Sequence, residues 1–198
     1  MTTDSLRYAG FWRRLGAYLL DSLIQSPLGI LVLWGMAQSP VFVLYAFLPQ
    51  ALFIIFYQGY LVQRFGGTPG KLIAGLCIRK VDGSPVGFRE ASVRFMPEFL
   101  FWVAIEIAMI EALSQITDAD YFSLPFFARQ MQLLAHAPAW QKPVNIANQI
   151  WIWSEFIVLL TNRKRRALHD FIAGTVVVVK NPPPIRQSTA TVPAAGDG

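Results

Sequence analysis

Apolar residues run almost unbroken through four windows, 15–35, 41–62, 95–116 and 146–161, each near the roughly 20 residues a helix needs to cross the hydrocarbon core of a bilayer. Only an uncharged turn, 36–40, separates the first two windows, so the pattern predicts an antiparallel helical hairpin there. After the second window the pattern changes. Gly66-Gly67-Thr68-Pro69-Gly70 is a turn cluster, and 71–76 is long enough for a turn or two of helix. Leu76-Cys77-Ile78-Arg79-Lys80-Val81 and Pro85-Val86-Gly87-Phe88 then flank Asp82-Gly83, a dipeptide suited to a tight hairpin. The β-branched run Thr175-Val176-Val177-Val178-Val179 predicts a third strand on that hairpin. Between the third and fourth windows, 117–144 carries Phe122, Phe126, Phe127, Met131, Leu134 and Trp140, an aromatic, partly amphipathic set that suits a lid on helix ends or a segment lying in the membrane interface. Residues 181–198, rich in Pro, Ala, Ser, Thr and Gly, read as a disordered tail beyond one transmembrane domain, 1–180. The expected fold is an all-α membrane protein, a four-transmembrane-helix bundle with a small cytoplasmic β-hairpin or sheet.

Composition supports lipid as the solvent. Of 198 residues 54% are hydrophobic and 15% charged, too few polar groups to cover a water-soluble globule. Of the 17 lysines and arginines, all but Arg129 and Lys142 fall on one side of the four predicted crossings, which places both chain ends and the 64–94 loop in the cytoplasm and the protein in the cell membrane. The net charge of +5 reflects this topology and not nucleic-acid binding, because the basic residues flank apolar runs. A lone Cys77 and two histidines give no disulfide and no metal cluster, and no cofactor is implied. Arg13-Arg14 and Asp21 mark the first window as a retained anchor and not a cleaved leader.

Helical spacing lines up Arg14, Tyr18, Asp21, Ser22 and Gln25 on one face of the first helix. A charge at mid-membrane costs roughly 2.5–3.5 kcal/mol, so Asp21 must face the bundle and find a partner. Arg14 lies about 10 Å away along the axis, too far without a bridging group. Glu106 and Glu155 also sit within predicted helices, and Gln50, Tyr57 and Asn148 extend a polar seam. Buried carboxylates of this kind exchange protons or bind hard cations, or else tie helices together, so Asp21, Glu106 and Glu155 are candidates for an ion or proton path. His169-Asp170, after the basic run 163–166, reads either as a relay or as a polar cap at the interface. No nucleophile elbow or phosphate-binding loop is present, and no enzymatic activity is expected.

Three segments carry a resemblance. Tyr8-Ala9-Gly10-Phe11-Trp12-Arg13-Arg14 leading to Asp21, then Gly67-Thr68-Pro69-Gly70-Lys71 with Asp82-Gly83, then Ala167-Leu168-His169-Asp170-Phe171-Ile172-Ala173-Gly174-Thr175 resemble, in the right order, the RDD family of membrane proteins. The family is named for one arginine and two aspartates, which match Arg14, Asp21 and Asp170 here; the outer loop is longer than the family's minimal pattern. The resemblance implies transport of an unidentified ligand, some members being proposed as sodium/proton antiporters. It also implies that Asp170 returns to the first helix so that Arg14 bridges it to Asp21, with Lys71 and His169 in support. The functional expectation is a small proton- or cation-coupled transporter acting as a homodimer, the alternative a non-transporting scaffold or accessory subunit.

Overall fold

The computed structural model of the chain describes residues 7–162 and 164–180; the expected tail, 181–198, lies outside them. Its first helix, α1 (Phe11–Gln38), continues through Pro27. Proline lacks the N–H that would bond the Leu23 carbonyl, and Ser26 Oγ donates to that oxygen instead at 2.8 Å. After a short turn, α2 (Phe42–Ile54) widens into a π-helical turn (Ile55–Tyr60) and resumes as α3 (Leu61–Phe65). Gly66, at φ 77°, ends it in the left-handed conformation that glycine adopts without strain. Thr68 and Pro69 then start the short α4 (Pro69–Ile73), proline occupying the first turn where its missing N–H has no intrahelical partner.

The remaining elements are β1 (Leu76–Lys80), α5 (Phe88–Leu113), α6 (Asp118–Ser123), α7 (Phe126–Ala135), α8 (Gln141–Thr161), α9 (Leu168–Ile172) and β2 (Thr175–Val179). α1 packs on α2 and α4, α5 packs on α8 and the π turn, and α9 joins α5, α8 and β2.

Strand pairing differs from the predicted hairpin. β1 pairs antiparallel with β2, Ile78 opposite Val177, while the Asp82-Gly83 turn closes only a single bridge, Arg79 to Pro85. Five consecutive β-branched residues in β2 offer a longer ladder than Pro85, which has no N–H to donate. Alternation sends Leu76, Ile78 and Val177 into a core with Ala17, Val62 and Ala91, and turns Cys77, Val176 and Val178 to the other face with Tyr8 and Val81. The free edge of β2 is covered by the segment before α1, where Ala9 N donates to the Val177 carbonyl and Val179 N to that of Arg7.

At the far end, the 117–144 segment folds as a lid. Tyr121 and Leu133 pack on Ala112, the Tyr121 hydroxyl donates to the Met36 carbonyl at 2.9 Å, and the Arg129 guanidinium lies over the Tyr121 and Phe122 rings.

Two segments, Phe11–Gln38 and Phe42–Ile73, are long and apolar enough to cross a membrane. Only 17% of the first one's most apolar window is buried against protein, unlike a core helix of a soluble globule. Leu23, Ile30, Leu33 and Trp34 of α1 and Tyr45, Leu48 and Leu52 of α2 point outward. The other two expected crossings correspond to α5 and α8, which do not meet the same criterion. α5 begins before position 95 and takes in Arg89, Glu90 and Arg94, with Glu98, Glu106 and Glu111 further along, and α8 carries Lys142, Asn145, Asn148, Gln149 and Glu155.

Candidate functional site

Asp21 sits two helical turns beyond Arg14, on the face of α1 that α4 covers, and is buried. Its Oδ1 accepts from the Tyr57 hydroxyl at 2.6 Å and from Gly70 N at 2.7 Å. Its Oδ2 accepts from Thr68 Oγ1 at 2.6 Å and lies 3.5 Å from Lys71 Nζ, which also reaches Thr68 Oγ1 at 3.2 Å. Thr68 makes no cap bond to α4 itself, so Asp21 caps α4 from another helix by holding an amide of its first turn. The π turn places Tyr57 over this carboxylate, an instance of a local backbone irregularity serving a polar contact. The approach depends on Gly70, since a β-carbon there would stand 2.5 Å from the Ala17 carbonyl oxygen and 2.7 Å from Asp21 Cγ.

A second carboxylate, Asp170 of α9, is completely buried. Arg14 Nη1 donates to its Oδ2 at 2.8 Å, and Arg94 Nη1 of α5 forms an ion pair with its Oδ1. Ala167 N and Thr175 Oγ1 add hydrogen bonds of 3.1 Å each, and Arg94 Nη1 also donates to Thr175 Oγ1 at 3.0 Å. Burial pushes the Asp170 carboxyl toward its neutral form, but the charges of Arg94, His169 and Arg14 outweigh it and hold the group well below the usual carboxylate range. The network extends to α8. Arg94 Nη2 lies 2.8 Å from His169 Nε2, His169 N donates to Glu155 Oε1 at 2.9 Å, and His169 Nδ1 lies 2.6 Å from Glu155 Oε2. Arg166 ties the same corner to the sheet, donating to the carbonyls of Asp170 at 2.7 Å and Thr175 at 3.0 Å.

The structure therefore divides the expected residues between two sites that share α1. Arg14 meets Asp170 and Lys71 meets Asp21, but Arg14 does not bridge the aspartates: Asp21 finds Tyr57, Thr68 and Gly70 instead. Glu155 joins His169 at the Asp170 site, whereas Glu106, about 18 Å along α5 from Arg94, forms no ion pair among the described residues. Arg94 is the member that sequence reasoning missed as a site residue. Its signal was a basic residue three positions before Pro97 in an apolar stretch, indistinguishable from a residue marking the membrane boundary. Thr68 and Thr175 were read only as turn and strand residues. Arg14 is incompletely used, its Nε and Nη2 being buried without a hydrogen-bond partner among the described residues.

The chain is similar to the uncharacterized protein YckC of Bacillus subtilis (strain 168), 26% identical over 180 residues that cover 88% of this chain and 86% of that protein. No solved structure matches it. Residues 8–174, which include Arg14, Asp21 and Asp170, match the RDD family, and the chain belongs to that family.

Proposed function

We propose that this protein is a small proton-coupled membrane transporter of a cation or solute. In this reading α1, the α2–α3 run, α5 and α8 cross the bilayer, both chain ends face the cytoplasm, and two copies associate because four helices are few for alternating access. The charges of α5 and α8 are compatible with crossing where they face protein, as Arg94 and Glu155 do. One observation carries the proposal: Glu155, His169, Arg94, Asp170 and Arg14 form a continuous chain of ionisable groups across α8, α9, α5 and α1, ending on two unspent donors of Arg14. Histidine is the residue type that gains and loses a proton in the physiological range. His169 stands between Glu155 and the Arg94 that holds Asp170, and the spare donors let Arg14 take a second carboxylate in another state of the bundle. The test is purified protein in liposomes with an internal pH-sensitive dye. Cation-gradient-driven proton flux should be present in the wild type and lost in His169→Gln and Asp21→Asn variants that still elute as monodisperse protein; absence of flux in the wild type rejects transport, and flux unchanged in both variants rejects a path through these residues.

Saturation of the carboxylates favours a second reading, a non-enzymatic scaffold or accessory subunit. Asp21 accepts four hydrogen-bond or ion-pair contacts and Asp170 five, the pattern of a joint. Crosslinking in membranes should then recover a stoichiometric partner.

A further inference from the structure

A cavity of about 730 Å3, within the range of small-molecule sites, opens where the first turn of α1 meets the end of α8 and the loop leading to α9. Three arginines line it, Arg7, Arg13 and Arg165, and among the described residues none of their side chains makes a hydrogen bond or an ion pair. Their neighbours are committed elsewhere: Arg14 is bound to Asp170, while Arg166 holds three carbonyls and stacks on Phe171. Arg165 adopts a left-handed backbone, φ 48°, and its guanidinium lies against Gly10, where a β-carbon would stand 2.5 Å from Nη1. Among the described residues, positive charge without a counter-charge is thus gathered on one concavity.

Part of the wall is apolar. Phe11, Trp12 and Leu160 border the cavity, Trp12 with 79% and Leu160 with 66% of their surface exposed, and the outward faces of α1 and α8 continue from them. A soluble anion would use only the arginines. A glycerophospholipid uses both parts, its phosphate among the guanidiniums and the first methylenes of its chains against the indole and the leucine.

We propose that this cavity binds the headgroup phosphate of an anionic glycerophospholipid through Arg7, Arg13 and Arg165. The proposal rests on the membrane placement given above but not on transport. Full-length protein in a neutral detergent would be titrated with short-chain phosphatidylglycerol, phosphatidylcholine of the same chain length and inorganic phosphate, with bound molecules counted by native mass spectrometry. One phosphatidylglycerol should bind per chain, and Arg13→Gln with Arg165→Gln should weaken it about 25-fold, roughly fivefold for each arginine removed. Arg89→Gln, an exposed arginine outside the cavity, should leave affinity unchanged. Equal loss in Arg89→Gln would overturn the site in favour of diffuse attraction, as would no loss in the double variant or equal binding of phosphatidylcholine. Inorganic phosphate binding as tightly as phosphatidylglycerol would overturn the lipid assignment. If the double variant does not purify, Arg165→Gln alone should show the fivefold step.

Discussion

Arg94 of α5 and Asp170 of α9 form a buried ion pair, and Arg14 of α1 takes the second oxygen of the same carboxylate. One side chain thereby joins three helices to the sheet, because Thr175 at the start of β2 is bonded to both Arg94 and Asp170.

Removal of that charge should be severe. Asp170→Asn leaves two guanidiniums without a counter-charge and is expected to lower stability by about 3–5 kcal/mol. Thermal unfolding in detergent measures it. Arg94→Gln combined with Asp170→Asn should cost less than the sum of the single changes, since the pair is lost only once.

Acid should act through the same group. The folded carboxyl of Asp170 lies below its ordinary value, near 3.9 in an unfolded chain, so its contribution is complete above that pH and falls away as the solution is acidified below it. Stability from this source is flat between pH 5 and 8. An unfolding series between pH 5 and 3 should show wild type losing an increment that Asp170→Asn does not.

Gly70→Ala tests the Asp21 site by shape alone. The added methyl collides with the backbone of α1 and with Asp21 itself, so α4 must move away, at an expected cost of about 1–3 kcal/mol. Faster acetylation of Lys71, now released from Asp21 and Thr68, would report that movement by peptide mapping.

Tyr57→Phe removes one donor from the same carboxylate without changing its volume much. A loss of about 1.5–3 kcal/mol is expected, the range for a hydrogen bond to a charged group. If unfolding of Tyr57→Phe matches wild type, the contact carries no stability.

The helices were legible because period and length are properties of contiguous residues, and the two carboxylate sites were half legible for the same reason. Arg14 and Asp21 share a face of one helix, and any reader of helical spacing sees them together. Asp170 meets Arg94 through a fold-back that no local pattern encodes, and Arg94 looked like an interfacial base. The strand exchange has a similar cause. Asp82-Gly83 is a strong local turn signal, but the valine run supplies hydrogen bonds at long range that Pro85 cannot. The π turn left no local mark, being set by what Tyr57 must reach.

The order of elements at the sheet end bears on biosynthesis. A ribosome delivers Arg14, then Arg94, long before it delivers Asp170, and the β2 strand that pairs with both β1 and the segment ahead of α1 emerges later still. During elongation both guanidiniums wait without their shared counter-charge, and β1 waits as an unpaired ribbon. A nascent chain stopped before Ala167 therefore lacks both the counter-charge of the two guanidiniums and the partner strand of β1, and residues 167–180 act as the clasp that supplies them.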